Sequence, residues 1–254
     1  MKIGIVGYGH VGKAMGNLFK DAVIYDEPLN IGSKTEINIC DLVFVCVPTP
    51  EKEDGSCDTT IVEDVISWLE VETIVLRSTV YVGFTSKMAS KYGKSIIFQP
   101  EYYGETTAHP FADLNSRTWI SLGGSREGIK QAIKAYQSVY TSNVEIHIAN
   151  AEEVEFAKYM ENSFLAAKVI FCNEMFDIAE KLGVDYNAAR EIWLADPRIG
   201  RSHTFVYEDD RGFGGSCLPK DLSSIIFQAK KASADVTLLN AVKEKNLTLK
   251  NVDG

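Results

Sequence analysis

Ile3-Gly4-Ile5-Val6-Gly7-Tyr8-Gly9-His10-Val11-Gly12 is the stretch that decides the fold. Ile3 to Gly7 is short, apolar and closed by glycine, as a buried strand is. Gly7 to Gly12 then spells G-x-G-x-x-G where the chain passes from that strand into a helix. The first glycine allows a tight turn, the second lets backbone approach a pyrophosphate, and the third permits close packing of helix on strand. The N–H groups and dipole of the helix that follows favour an anion at the turn. On this reading Gly7, Tyr8, Gly9, His10, Val11 and Gly12 form a dinucleotide-binding turn; the alternative is a glycine turn that binds nothing.

Asp26 closes the next apolar run, and no arginine follows within several residues. A carboxylate there accepts hydrogen bonds from a ribose hydroxyl and repels a 2′-phosphate, which predicts NAD rather than NADP as cofactor. Further strands are predicted at Ala22 to Tyr25, Leu42 to Val47, Thr73 to Leu76, Ser95 to Phe98, Trp119 to Leu122 and Val144 to Ile148. Helices are predicted between them at Val11 to Phe19, Thr60 to Leu69, Thr85 to Tyr92 and Glu127 to Tyr140. Alternating β and α units with nearly continuous apolar strands imply a Rossmann-type, doubly wound parallel sheet covered on both faces.

Near residue 150 the pattern changes. Ala151 to Leu182 has neither proline nor glycine and stops before Gly183, so it reads as one helix of 32 residues, about 48 Å long at 1.5 Å per residue. Helices follow at Asp185 to Leu194, Pro219 to Ala232 and Val236 to Lys245, with a glycine-rich loop over Pro197 to Cys217. The expected organisation is an α/β domain over 1–150 and an all-helical domain over 151–254, with a frayed tail from Asn251.

The 254 residues are 45% hydrophobic and 24% charged, a globular composition. Lys plus Arg number 26 against 35 Asp plus Glu, a net charge of −9. That sign speaks against nucleic acid or anionic lipid as partner. No run reaches the roughly 18–20 apolar residues of a membrane span, and the start is a poor signal peptide. Five cysteines, an odd number, suit a reducing cytosol and leave room for one reactive thiol. The expected location is cytoplasmic. No metal-ligand spacing is present, and the four histidines are scattered.

Ligands of an open α/β sheet sit at the carboxyl ends of its strands. Strand three leads into Val47-Pro48-Thr49-Pro50 and strand four into Ser78-Thr79-Val80, so Thr49 and Thr79 either meet a ligand or serve as ordinary strand-end caps. Strand five leads into Gln99-Pro100-Glu101-Tyr102-Tyr103-Gly104-Glu105. Glu101 and Glu105 could supply an acid or base and a holder of hydroxyls, or be solvated. On the long helix Lys158 and Asn162 are spaced i, i+4; they could face a developing oxyanion or lie on a polar surface.

The sharpest signal is Gly212-Phe213-Gly214-Gly215-Ser216-Cys217-Leu218-Pro219-Lys220-Asp221. A cysteine at the head of a helix, near Lys220, has its thiolate favoured and can attack an aldehyde; otherwise it packs beneath the glycine loop. Asp221, in the first turn, could cap the helix or orient a water. Cys40, Cys46 and Cys172 read as core, and Cys57 reads as exposed in its Asp54-Gly55-Ser56 loop.

Taken in order, the glycine turn, Val47 to Pro50, Ser78-Thr79-Val80, Pro100 to Glu105, Lys158 with Asn162, Arg198-Ile199-Gly200 and Gly212 to Asp221 resemble the UDP-glucose/GDP-mannose dehydrogenases, UDP-glucose 6-dehydrogenase most of all. The likeness covers nearly the whole chain. It implies a four-electron oxidation of a sugar C6 alcohol, UDP-glucose to UDP-glucuronate, with two NAD⁺ and one water. Cys217 would hold the aldehyde as a thiohemiacetal and then as a thioester. Lys158 and Asn162 would handle oxyanion and proton, Glu101 would be the base for hydrolysis, and Asp221 and Thr79 would position water. Gly7 to Gly12, Asp26, Pro48, Thr49, Thr79, Glu105 and Lys220 would face NAD. Glu101, Tyr102, Tyr103, Lys158, Asn162, Arg198, Phe213 and Gly214 would hold the nucleotide sugar.

The resemblance also implies a homodimer through the helical domain, and a third, nucleotide-gripping domain that these residues do not include. Tyr81 stands where the family usually has proline, and Gln99 where it usually has asparagine. Two other readings remain: a 3-hydroxyacid or 6-phosphogluconate type dehydrogenase making one hydride transfer, and a non-catalytic NAD-binding dimeric scaffold.

Overall fold

Residues 1–102, 114, 117–140 and 144–251 are described by a computed structural model of the chain. Among these residues seven strands, β1 (Ile3–Val6), β2 (Val23–Tyr25), β3 (Leu42–Val45), β4 (Thr73–Leu76), β5 (Ser95–Phe98), β6 (Trp119–Gly124) and β7 (Glu145–Ala149), form one sheet in the order β2-β1-β3-β4-β5-β6-β7. Every pairing is parallel except β5 with β6, which is antiparallel. The doubly wound sheet predicted from the sequence is therefore present, with one antiparallel junction that no local pattern announces.

Among the described residues five helices, α1 (His10–Leu18), α2 (Lys34–Asn38), α3 (Thr60–Trp68), α4 (Phe84–Tyr92) and α5 (Arg126–Tyr136), connect the strands. The chain forms two compact units, residues 1–50 with 57–158 and residues 51–56 with 159–254. In the first, β3 shows why its strands are apolar throughout. Val43 and Val45 join the core against α3 and α4, with Val65, Ile66, Phe84 and Met88. Leu42 and Phe44 join the core against α1 and α5, with Met15, Leu18, Ile129 and Ala132. Side chains alternate faces along a strand, so a strand covered on both sides must be apolar at every position. Helix α2 is a single capped turn missing from the sequence reading: Ser33 Oγ accepts from Glu36 N–H and donates to Glu36 Oε2 (2.8 Å), a reciprocal cap that Ser33-Lys34-Thr35-Glu36 does encode.

Register positions the functional residues. Val6 pairs with Val45, Val45 with Leu76, and Leu76 with Phe98. The carboxyl ends of β1, β3, β4 and β5 are thus level, and the residues after them share one edge. Strand order reverses beside β1, between β2 and β3, the switch point at which open α/β sheets take ligands.

Helix α4 lacks a cap of its own, since Gly83 precedes it in a left-handed conformation. Fully buried Glu155 supplies one: its oxygens accept from Gly83 N–H (2.6 Å) and Thr85 N–H (2.9 Å). Burial pushes this carboxyl up to about 7, against the pull of both hydrogen bonds. From pH 4.5 to about 7 the folded protein keeps a proton that the unfolded chain has released. The group's contribution is therefore full below 4.5 and is lost as pH rises through 7. The expected loss, on the order of 3 kcal/mol, is read as a lower urea midpoint at pH 8 than at pH 5, and Glu155→Gln should flatten that slope.

The second unit is built on helices α6 (Ala151–Leu182), which starts in the first unit, α7 (Tyr186–Trp193), α8 (Leu218–Lys231) and α9 (Thr237–Asn251). Ala166, Val169, Ile170, Phe213, Leu222, Ile226, Val242 and Leu249 are its core. Asp185 caps α7 by accepting from Asn187 N–H (2.8 Å) and Ala188 N–H (3.1 Å). Among the described residues no helix is long and apolar enough to cross a membrane.

Candidate active site

The glycine turn is set by steric necessity at two of its three glycines. Gly7 has φ +89°, and a Cβ there would stand 2.8 Å from the Cys46 backbone; a Cβ on Gly12 would stand 1.9 Å from the Gly7 carbonyl oxygen. Gly9 differs, because a Cβ there meets no protein atom within 4 Å. The fold does not demand glycine at position 9, whereas a pyrophosphate lying on the backbone would. Gly9 caps α1 with no side-chain bond, and no carboxylate stands in the first turn, so the positive end of the helix is not neutralised from within. Asp26 holds the turn from the end of β2, its Oδ2 accepting from Tyr8 N–H (2.6 Å) and its Oδ1 from Leu29 N–H (2.9 Å). Each oxygen keeps acceptor capacity for a ribose hydroxyl. These residues fit a dinucleotide: Gly9 and the head of α1 would take its pyrophosphate and Asp26 its ribose. His10 opens α1, and Val11 packs against the core.

Along the same edge, Pro48 and buried Thr49 follow β3, and half-buried Thr79 follows β4. Ser78 Oγ donates to Val47 O (2.6 Å), tying the two segments. Cys57, expected exposed, is 6% exposed and its Sγ donates to Thr79 O (3.4 Å); the Asp54–Ser56 turn before it leaves its thiol facing the strand end rather than solvent. Beyond β5, Glu101 forms ion pairs with Arg77 and with Arg117 (3.2 Å), all three side chains under one-tenth exposed. Lys158 Nζ lies 4.6 Å from the Tyr102 ring centroid, a cation–π geometry. Thr79, Glu101, Tyr102 and Lys158 thus belong to one unit. Tyr103 and Glu105 lie outside the described residues.

In the second unit Cys217 is exposed and stands at the N-cap position of α8, where its side chain makes no capping bond. One turn on, buried Asp221 accepts from Asn162 Nδ2 (2.6 Å) and pairs with Lys220 Nζ (2.5 Å). Lys220 therefore directs its ammonium to Asp221. The loop before Cys217 is fastened to two helices. Arg211 bonds Asn173 and Asp177 of α6, while Asn246 of α9 accepts from Phe213 N–H (2.7 Å) and donates to Phe213 O (3.0 Å). Gly212 has φ +76°, and its Cβ would lie 2.4 Å from Asn246 Oδ1, so any other residue there would strain the backbone and displace the Asn246 side chain. Phe213 points into the core, whereas exposed Arg198 pairs with Asp196. Gly214 lies beside Lys250. Cys40 and Cys172 are buried, and burial pushes the Cys46 thiol up to about 12, which leaves Cys217 as the exposed thiol of the five. Among the described residues no group of three His, Cys, Asp or Glu side chains could hold a metal.

Sequence reasoning missed Arg77, Arg117, Asn173 and Asn246. A guanidinium at the end of an otherwise apolar strand was a signal for Arg77; the two asparagines carry none, since their partners lie 38 to 39 and 33 residues away.

Comparison with known proteins places these features in context. The UDP-glucose/GDP-mannose dehydrogenase family profiles match residues 23–144 (NAD binding domain) and 152–248 (central domain). YtcA of Bacillus subtilis, provisionally named a UDP-glucose 6-dehydrogenase, is 30% identical over 98% of this chain and 68% of its own. UDP-glucose 6-dehydrogenase of Pseudomonas aeruginosa is 30% identical over 84% of this chain and 49% of its own, and GDP-mannose 6-dehydrogenase of Pseudomonas syringae 30% over 83% and 51%. The chain spans about half the length of these last two. A UDP-glucose dehydrogenase structure from Pyrobaculum islandicum superposes with TM-score 0.84 at 24% identity, over 97% of this chain and 68% of that one, a likeness of fold.

Proposed function

The chain belongs to the UDP-glucose/GDP-mannose dehydrogenase family, and from that premise we propose that it is an NAD-dependent nucleotide-sugar dehydrogenase converting UDP-glucose to UDP-glucuronate. The observation that carries the reading is Cys217, exposed at the head of α8, with the Asn162–Asp221–Lys220 cluster one turn behind it. The glycine turn and Asp26 would hold NAD⁺, which would supply the hydride acceptor for each of two oxidations.

In the first oxidation the C6 carbinol loses a hydride and a proton. The Cys217 thiol adds across the resulting aldehyde, and the thiohemiacetal loses a second hydride and proton to become a thioester. Water adds, the C–S bond breaks, and the carboxylate leaves as the thiol is restored. A thiolate suits this role because it is a strong nucleophile and a good leaving group. The Lys158 ammonium and the Asn162 amide stabilise the developing oxyanions. Glu101 takes the proton of the attacking water, and Thr79 and Asp221 orient that water. Pro48, Thr49, Glu105 and Lys220 face the cofactor. Tyr102, Tyr103, Arg198 and Gly214 hold the sugar nucleotide, and Phe213, its ring buried and its backbone bonded to Asn246, fixes the loop that carries Gly214.

The test is NADH yield with a panel of UDP- and GDP-sugars, since relatives named for UDP-glucose and for GDP-mannose are both 30% identical. Two NADH per sugar acid are expected. One NADH would favour the single-transfer dehydrogenases, and no turnover with any sugar would favour the scaffold.

A homodimer through α6 is part of the same proposal. Met160, Phe164, Phe171, Met175, Ile178 and Leu182 are exposed at spacings of three, four and seven, which is one helix face. Phe164→Glu should convert a dimer to a monomer in light scattering; an unchanged mass would place the interface elsewhere.

A further inference from the structure

Thr49, Thr79 and Glu101 follow three different strands, β3, β4 and β5, and one residue, through its backbone and its side chain, ties those ends together. Arg77 is the first residue past β4 and is buried. Its backbone N–H donates to Val45 O (2.9 Å) at the end of β3. Its Nη1 donates to the carbonyls of Gln99 (3.2 Å) and Pro100 (3.3 Å), and its Nη2 to Glu101 Oε2. Arg117 Nη2 donates to the other oxygen, Oε1, at 3.2 Å. One guanidinium on each oxygen fixes the plane of the carboxylate. Directly after Arg77, the Ser78 bond to Val47 O fixes the backbone that presents Thr79. Burying three charges gains little stability over apolar side chains of similar volume; what this arrangement supplies is orientation.

Resting on the role given to Glu101 above, we propose that Arg77, seconded by Arg117, is the positioning residue that holds Glu101 level with Thr79 for hydrolysis of the Cys217 thioester. As the water oxygen bonds to the acyl carbon, its proton passes to Glu101. The C–S bond breaks and Cys217 departs as thiolate. Lysine at position 77 would place a point charge on a flexible stem and could not serve two carbonyls and a carboxylate at once.

The experiment follows NADH formation before the steady state, together with intact mass, on the full chain with NAD⁺ and UDP-glucose. Arg77→Met should give a burst of two NADH per chain, then a steady rate about 100-fold below wild type, with an acyl adduct persisting on Cys217. Arg77→Lys should recover only part of that rate, and it carries the test if the methionine variant fails to fold. Arg77→Met with Glu101→Gln should be no slower than Glu101→Gln alone. A merely structural role would shrink the burst with the folded fraction and leave no adduct. A normal steady rate, a loss without adduct, or additive losses would overturn the proposal. A wild-type rate in Glu101→Gln would instead remove the reading beneath it, and an inactive wild-type chain would remove both.

Discussion

Replacing Cys217 by serine is expected to lower NADH formation by about 10⁴-fold or more, the scale seen when a covalent nucleophile is deleted, with NAD⁺ affinity unchanged. The side chain is exposed at the head of α8, so one oxygen for one sulfur disturbs no packing, and the fold should keep its urea midpoint. What is lost is the thiolate: a serine hydroxyl is scarcely ionised at neutral pH and leaves an acyl carbon poorly. NADH formation and a fluorescence titration with NAD⁺ check the two halves of the expectation. Full turnover in Cys217→Ser would end the covalent scheme.

The second large effect concerns the glycine turn. Gly12→Val would drive a Cβ to within 1.9 Å of the Gly7 carbonyl, a backbone atom that cannot swing aside. Overpacking of this kind costs about 1–3 kcal/mol and occasionally more. The turn should open, with NAD⁺ binding lost and the urea midpoint lowered. Gly9→Ala separates ligand from fold, because its Cβ meets no protein atom within 4 Å. There the midpoint should hold while NAD⁺ affinity falls about tenfold, the 1.4 kcal/mol scale of one compromised contact. Equal affinity in Gly9→Ala and wild type would mean that the pyrophosphate does not lie on this backbone.

Much of the candidate site was legible along the chain because each part is a local rule. The strand–turn–helix of Ile3 to Gly12 needs only the spacing of three glycines. Asp221 sits one turn after Cys217 wherever a helix begins there. The 32-residue helix α6 was readable from its lack of glycine and proline, with Gly183 just past its end. Less was legible where partners are distant. Phe213, assigned to the sugar nucleotide by the family resemblance, has its ring in the core, with Asn246, 33 residues on, gripping its backbone. Cys57 lies in a polar loop whose sequence reads as exposed, yet its thiol bonds Thr79 O across 22 residues.

The sequence by itself determined the alternation of strands and helices, the glycine turn and the cysteine at a helix head. These follow from side-chain periodicity and from which backbone angles glycine alone permits, both properties of neighbours in the chain. Only the tertiary structure decided that β6 runs against β5, that Glu155 caps α4, and that Arg77 and Arg117 clamp Glu101. Each of these joins groups on separate elements, and charged or polar groups in a dry interior take whichever partner the packing of strands and helices brings within reach.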